Sequence, residues 1–471
     1  MQPVENNPPA MKQRCAWRRS GVSAFLLLGG VFGLGFLVAM PPFQAPDEYA
    51  HFYRAYHVSE GGVLGIAESN RVVALLPQSL EELPHRLDVG RLIFEPENNW
   101  DFRTLHYAAD LPLQPEDRIF TRLRGGIYSP APYLPQALAI ALGRWCGGGP
   151  LLLFYLGRVG NLLAWLVLVG MAIHRMPTAK WLLFFLAIAP MNLMQAASLS
   201  ADATTTASVY LLLATTLALS QREAGGIHWK ETFQLLILAA VLGLSKNVYC
   251  FLAALPLLLR PGTCRSRGHY LVTALGPFLC AVGLAAWWIQ LSKELVTAET
   301  TPMGTAMFFT ILADPAAFLS KIGTTLNCSG GDQSFIYCYY QGIVGIAGWM
   351  NIFLPAYAYQ LFAVIFVFLC LTDHAGKVRL GVVVKLLLAM LVVATGFLVF
   401  ATAEALFCDN SGPVIVGLQG RYFIPLVPLV ALLCHHHGLW IRARYRAWAA
   451  MAGGLVLLVC SLIVIVIRYY G

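Results

Sequence analysis

The feature that most constrains this chain is a series of long apolar runs separated by short polar segments. Of its 471 residues, 58% are hydrophobic and only 12% are charged. A soluble domain of this length carries more polar surface, whereas an apolar run of about 20 residues is the length that crosses a bilayer as a helix. We therefore predict an all-α polytopic membrane protein with about 11 transmembrane helices.

The first apolar run follows a basic N-terminus and resembles a signal sequence. Its length of about 20 residues and the lack of a small-residue cleavage site favour an uncleaved span instead. The predicted spans are roughly 21–40, 151–173, 181–199, 203–219, 232–244, 248–259, 270–291, 352–371, 382–403, 422–434 and 447–468.

Basic clusters between these runs predict the orientation, because Lys and Arg are enriched in cytoplasmic loops. With residues 1–20 in the cytoplasm, five later clusters also fall on the cytoplasmic side: His174-Arg175 with Lys180, Arg222 with Lys230, Arg260 with Arg265 and Arg267, Lys377 with Arg379, and Arg442-Arg444-Arg446. The net charge of +8 is thus explained by topology, and no nucleic-acid motif is present. The count requires that the short run 133–142 does not cross, which suits a re-entrant or interfacial helix.

On this topology three substantial segments lie outside the cytoplasm. The largest, 41–132, follows the first span 21–40, and two further outer loops near 292–351 and 404–421 interrupt a multi-helix domain over 133–471. Cys328 and Cys338 in the second loop suit either a disulfide or two thiols. The eleven cysteines lack C-x-x-C spacing, so the sequence does not favour a metal-binding or redox motif.

An acidic motif begins where the first apolar run ends. Three prolines keep residues 41–46 extended, and a helix is expected from Pro46 onward. Residues three and four apart share a helix face, so Asp47 and Glu48 are predicted neighbours of His51, and His51 of Arg54. The alternative is that the acids complement the helix dipole and pair with the two basic residues at the surface.

Further charges lie near the predicted outer ends of spans, where they are costly unless used or paired. They are Arg158, Asp202, Lys246 and Arg421. Together with the acidic motif they suit a substrate with an anionic phosphate or diphosphate headgroup, with the cations on phosphate oxygens and a carboxylate handling a proton. Each residue alone is also compatible with an interfacial side chain that reaches toward water.

Several motifs jointly resemble a known family. They are Pro-Asp-Glu-x-x-His-Phe at 46–52, Tyr128-Ser129-Pro130 with Tyr133-Leu134-Pro135-Gln136, the Ser198/Asp202 segment, Gly348-Trp349, and Gln419-Gly420-Arg421-Tyr422-Phe423. The chain from about 22 to 465 resembles the bacterial membrane proteins grouped as domain of unknown function 2142. That family is similar in layout to the GT-C glycosyltransferases.

The resemblance implies an enzyme of the bacterial cytoplasmic membrane that transfers a sugar from a polyprenyl-phosphate donor to a glycan or lipid acceptor on the outer side. By position, Asp47 and Glu48 match the acidic pair that this superfamily carries after its first span, and Asp202 matches a second acidic residue in a later outer turn. We expect Asp47, Glu48 and His51 to be catalytic, and we favour Glu48 as the more exposed carboxylate. The expected substrate-binding residues are Arg54, Tyr128, Arg158, Asp202, Lys246, Gln419, Arg421 and Tyr422. In some relatives paired acids bind Mg²⁺ or Mn²⁺, and the sequence leaves a metal open. The alternatives are a transporter or flippase of lipid-linked sugars and a non-catalytic subunit of an envelope polysaccharide complex.

Overall fold

The chain folds into a mostly helical structure with three small β-sheets. The structure is a computed structural model that describes residues 9–95, 97–299, 302–330, 333–374, 380–407, 412–434, 439 and 441–471. Its α-helices are α1 (Pro9–Ala39), α2 (Glu48–Ser59), α3 (Gln78–Arg86), α4 (Val89–Phe94), α5 (Arg103–Ala109), α6 (Leu134–Trp145), α7 (Pro150–Arg175), α8 (Lys180–Ala187), α9 (Pro190–Ala196), α10 (Ala201–Leu219), α11 (Trp229–Ser245), α12 (Arg267–Leu291), α13 (Lys293–Glu299), α14 (Pro302–Ala313), α15 (Pro315–Asn327), α16 (Phe335–Val344), α17 (Ala356–Thr372), α18 (Val382–Phe407), α19 (Val427–Leu433) and α20 (Ala443–Tyr470). Five 3₁₀ segments are Arg124–Ile127, Ala131–Tyr133, Asn247–Leu258, Pro261–Thr263 and Gly420–Leu426.

Five of these helices are long and apolar enough to cross a membrane. They are the Gly21–Ala39 part of α1 and the whole of α7, α12, α18 and α20. Each keeps exposed apolar side chains, such as Leu27 at 65%, Leu163 at 56% and Val393 at 70%, and faces of this kind suit contact with lipid. Among the described residues the remaining predicted spans are shorter or more polar.

Two predicted spans differ from single continuous α-helices. The run 181–199 divides into α8 and α9, because Pro190 lacks a backbone N–H and begins a new helix. The run 248–259 is a 3₁₀ segment, Asn247–Leu258, and it follows α11 after a break at Lys246. The predicted spans 232–244 and 248–259 thus meet at Lys246, but the second is not α-helical.

The segment 41–132 folds as a small unit against the helical domain. Strands β1 (Ile66–Glu68), β2 (Arg71–Pro77) and β3 (Arg118–Arg122) form an antiparallel sheet in which Val73 pairs with both Ile66 and Arg122. Buried side chains of β2 pack with those of α2 and α3 in one apolar cluster. Two shorter pairs, β4 (Ser329–Gly330) with β5 (Gln333–Ser334) and β6 (Ile346–Ala347) with β7 (Ile352–Phe353), complete the strands that the structure describes.

Helix α6 occupies the short apolar run whose crossing was in question. Its 12 residues reach about 18 Å, well short of a hydrocarbon core of about 30 Å. It packs closely along α7: a methyl group added at Gly160 would lie 2.5 Å from the carbonyl oxygen of Pro135. Its outer face exposes Leu138 and Trp145. This geometry agrees with a helix that does not cross.

Helix α10 lies at the centre of the helical domain, where almost every side chain is buried. Its first turns carry a run of threonines at 204–206, and Thr205 donates its hydroxyl to the carbonyl of Ala201 at 3.0 Å. Such local bonds let polar side chains lie inside an apolar bundle. In the segment 292–351, no disulfide joins Cys328 to Cys338. Residues 1–8, Lys377, Arg379 and residues 408–411, which belong to the topology and loop predictions, lie outside the described residues.

Candidate functional site

Asp47 stands at the junction between α1 and α2 and points into the site. It is the N-terminal cap of α2, with a left-handed backbone at φ 59° and no hydrogen bond from its side chain to the helix. The helix therefore begins at Glu48 and not at Pro46 as predicted. The Asp47 side chain is 48% exposed, and its Oδ2 lies 3.3 Å from Nη2 of Arg421.

Glu48 points the opposite way, which corrects the expectation that it is the more exposed acid. Its side chain has no exposed surface, and both carboxylate oxygens accept from Arg158, at 2.8 Å from Nε and 2.7 Å from Nη2. Arg158 also donates to the carbonyls of Leu37 and Met40, which end α1. Because its donors are used in this way, Arg158 is a structural partner of Glu48 and lies apart from the other cations.

Three of the predicted residues meet Asp47 from distant parts of the chain. Asp202 lies in the first turn of α10, where the hydroxyl of Ser200 accepts from its backbone N–H. Its carboxylate forms an ion pair with Nζ of Lys246 and lies 4.0 Å from Nε of Arg421. Arg421 thus stands between the two aspartates. We call Asp47, Asp202, Lys246 and Arg421 the charge cluster.

His51 borders the charge cluster from α2. A hydrogen bond of 2.9 Å joins its Nδ1 and the hydroxyl of Tyr133. Burial lowers the pKa of His51 to about 4, although the nearby carboxylates of Asp202 and Asp47 act in the opposite direction. At neutral pH the imidazole is therefore uncharged, with one ring nitrogen available as an acceptor.

Arg54 was predicted to bind substrate, but it does not join the charge cluster. It is fully buried, and its guanidinium donates to Nδ1 of His57 at 2.8 Å and to the carbonyls of Val63 at 2.9 Å and Tyr128 at 2.7 Å. Burial lowers its pKa to about 10, so it stays charged at neutral pH. Arg54 therefore fixes the backbone of the segment 41–132, including the carbonyl of Tyr128. The phenol of Tyr128 is buried near Lys246, and burial raises its pKa.

Aromatic side chains line the charge cluster. Nζ of Lys246 lies 5.1 Å from the ring centroid of Tyr422, and the guanidinium carbon of Arg421 lies 5.6 Å from the same centroid. The hydroxyl of Tyr249 donates to the carbonyl of Tyr422 at 2.9 Å. Cations at these distances over a ring are stabilised by its quadrupole. The side-chain oxygen of Gln419 is buried and has no hydrogen-bond partner among the described residues.

Four aromatic residues that frame the site were not among the predicted site residues: Tyr49, Tyr133, Tyr249 and Trp349. Trp349 donates its indole N–H to the carbonyl of Phe43 at 3.0 Å and stacks on Tyr49 at 5.9 Å between ring centroids. The Gly348-Trp349 pair was a visible motif, and Gly348 has φ 63°, a turn that favours glycine. Nothing in the local pattern, however, placed this turn beside residue 43.

The carboxylates of the site do not suit a bound divalent ion. Within the described residues, no three His, Cys, Asp or Glu side chains come together as a set that could hold a metal. Asp47 and Asp202 face a shared guanidinium, and Glu48 is held by Arg158. With two carboxylates and two permanent cations, the charge cluster is close to neutral. It can bind an anionic headgroup through its cations and accept a proton on its exposed carboxylate.

Comparison with known proteins gives one result. The family model DUF2142, described as a predicted membrane protein, matches residues 30–430, which include every residue of the charge cluster. No curated protein and no solved structure matches the chain.

Proposed function

This chain belongs to the DUF2142 family of predicted membrane proteins, and we propose that it is a membrane glycosyltransferase. Its donor is a sugar carried on a polyprenyl phosphate, and its acceptor is a surface glycan or a lipid-linked glycan. The membrane is the bacterial cytoplasmic membrane, with the N-terminus inside and the site on the outer side. The proposal includes a GT-C-like architecture in which six shorter or broken segments cross in addition to the five long helices.

The observation that carries the proposal is the pairing of a half-exposed carboxylate with buried cations. Arg421 is only 5% exposed and Lys246 is held against Asp202, so both present fixed positive charge to a ligand. Asp47, in contrast, keeps nearly half of its surface open. A site of this kind supplies the two groups that glycosyl transfer requires, an anion-binding set and a proton acceptor.

The reaction follows from these two groups. Asp47 accepts the proton of the acceptor hydroxyl while that oxygen attacks the anomeric carbon of the donor sugar. The bond from this carbon to the phosphate oxygen breaks, and the released polyprenyl phosphate takes the bonding electrons. Lys246 and Arg421 stabilise the negative charge that develops on the leaving phosphate. Attack from the face opposite the phosphate inverts the anomeric configuration.

His51 and Glu48 have different roles in this proposal from those first implied. Neutral His51 accepts or donates a hydrogen bond at the sugar or the acceptor, held by Tyr133. Glu48 positions Asp47 from the adjacent residue through its pair with Arg158. The base is therefore Asp47 and not Glu48.

The experiment is transfer by the purified protein in lipid nanodiscs, with a panel of polyprenyl-phosphate sugars and release of polyprenyl phosphate as the readout. Asp47→Asn should lower turnover by about a hundredfold or more with little change in donor binding. Asp88→Asn is a matched control, since Asp88 is also an exposed left-handed helix cap without a side-chain capping bond. It should keep full activity.

Two outcomes would contradict the proposal. If no donor in the panel is turned over but lipid-linked sugars are moved between the leaflets of a liposome, the protein is a transporter. If neither activity is found and the protein copurifies with an active transferase, it is a subunit of an assembly complex.

A further inference from the structure

A small cavity lies beside Arg421 of the charge cluster. Its volume is about 20 Å³, enough for roughly one ordered water molecule. Part of its wall is formed by Ala45 and Pro46, the two residues before Asp47. Arg421 also lines it. A ligand held by the charge cluster can therefore extend a short group into this cavity.

Two buried donors line the cavity without a hydrogen-bond acceptor. The side-chain nitrogen of Gln195 has no hydrogen-bond partner among the described residues, and the residue is only 6% exposed. Nε of Arg421 is also buried without such a partner, since the nearest carboxylate oxygen of Asp202 is 4.0 Å away. An unsatisfied buried donor costs about 1–3 kcal/mol, so this arrangement favours a ligand that brings an oxygen.

The rest of the lining is mostly apolar, which limits what that ligand can be, and Ser198 and Ser200 are its two further polar residues. Met191 and Met194 of α9 and Ile346 of β6 supply much of the wall. An ionised group is disfavoured there, because burial against apolar side chains penalises charge. The volume allows about one or two non-hydrogen atoms. A neutral oxygen bonded to one carbon meets all three conditions: it accepts a hydrogen bond, it carries no charge and it fits the volume.

We propose that this cavity is a specificity subsite that receives the hydroxymethyl group of a hexose. The carbon packs against the two methionines, and the oxygen accepts from Gln195 and Arg421. A hydroxyl also donates, and the amide oxygen of Gln195 is the acceptor available to it. The inference rests on the proposed function and adds a preference for hexoses over pentoses and 6-deoxyhexoses.

The test uses short polyprenyl phosphates that carry a hexose, its 6-deoxy form or the matching pentose, in the gluco, galacto and manno series. Donor affinity is measured by titration calorimetry on the full chain in nanodiscs. Within the series that binds, the hexose should bind about tenfold more tightly than the other two. This comparison uses the unmodified protein, so it does not depend on any variant folding.

A variant pair then assigns the preference to the cavity. Gln195→Leu removes the amide at similar size and should reduce the preference to about twofold or less. Thr216→Val is the control, because the Thr216 hydroxyl is also buried without a partner but lies about 20 Å along α10 from Asp202. It should leave the preference unchanged.

The outcomes separate the two proposals. Equal affinity for all three sugars would overturn the subsite, leave the proposed function standing and assign the cavity to an ordered water. Binding of none of them would overturn the proposed function and the subsite with it. A preference that survives in Gln195→Leu would place sugar selection elsewhere in the site.

Discussion

At the scale of single residues, two adjacent carboxylates have opposite environments. Asp47 adopts a left-handed backbone and faces the charge cluster, while Glu48 starts α2 and faces the packed helices. The change of backbone conformation between them turns the side chains apart, so helical spacing does not apply to Asp47. Two acids that are adjacent in one sequence motif thus make contacts on opposite sides of the chain.

We predict that Glu48→Gln destabilises the protein by about 3–5 kcal/mol, because it leaves the buried charge of Arg158 without a counter-charge. Thermal or denaturant unfolding in detergent measures this loss. Glu68→Gln is the control, since its pair with Arg71 is exposed and should contribute less than about 1 kcal/mol. Near-normal stability together with lost activity would instead place Glu48 in the chemistry.

A second prediction concerns the pH dependence of stability. The pKa of His51 is lowered to about 4 in the folded protein, and an unfolded histidine has a pKa of about 6.5. Between these values the unfolded state binds the extra proton, so stability falls as pH drops from about 6.5 to 4. His51→Gln should make this fall shallower by up to about 1.4 kcal/mol per pH unit. Unfolding midpoints across pH 4–7 test it, and an unchanged slope would contradict the burial of His51.

At the scale of elements, the carboxylate of Glu60 joins the segment 41–132 to the helical domain. Glu60, just after α2, accepts from Nη2 of Arg118 at 2.7 Å and from Nη2 of Arg144 at 3.0 Å. Arg118 begins β3 and Arg144 lies in the last turn of α6. These two contacts therefore join the three-stranded sheet of the segment 41–132 to α6. Because α6 packs along α7, they also connect the sheet to α7.

We predict that Glu60→Gln loosens this junction without unfolding the chain. Amide hydrogen exchange should speed up in β3 and at the end of α2, with little change in α10. The matched control is Glu82→Gln, whose pair with Arg86 lies within one exposed helix. Equal amide exchange rates in both variants would mean that apolar packing alone holds the segment 41–132 against the helical domain.

The sequence predicted elements better than it predicted contacts. Apolar runs located most helices, because bilayer length and hydropathy are local properties. Convergence of Asp47, Asp202, Lys246 and Arg421 was expected from topology, since all four fall near one face. The pairing of Glu48 with Arg158, the burial of Arg54 and the stacking of Trp349 were not predicted, because each depends on packing between segments more than 70 residues apart.

At the scale of the whole molecule, the end of α20 contacts the segment 41–132. The N–H of Trp100 donates to the carbonyl of Tyr469 at 2.8 Å, and Arg468 donates to the carbonyl of Asn98 at 2.8 Å. The end of α20 and the segment 41–132 therefore lie at the same face of the helical domain. An odd number of crossings between the start of α1 and the end of α20 gives this arrangement.

We predict that this shared face is outside the cytoplasm. Asp101→Cys, in a background whose exposed Cys146 and Cys434 are serine, should react with a membrane-impermeant thiol reagent in whole cells. Gln221→Cys, exposed beyond the other end of α10, should react only after lysis. Mass spectrometry of the labelled peptides measures both. The reverse pattern would invert the topology and move the charge cluster to the cytoplasmic side.

The long-range ion pairs also set an order of events during biosynthesis. Glu48 is 110 residues ahead of Arg158, and Asp47 is 374 residues ahead of Arg421. A chain made from its N-terminus thus carries Glu48 out of the ribosome before its counter-charge exists, and the carboxylate stays hydrated until α7 arrives. The charge cluster closes only after residue 421 has been made. A nascent chain halted before that residue would already have the Glu48–Arg158 pair but would not yet have the charge cluster.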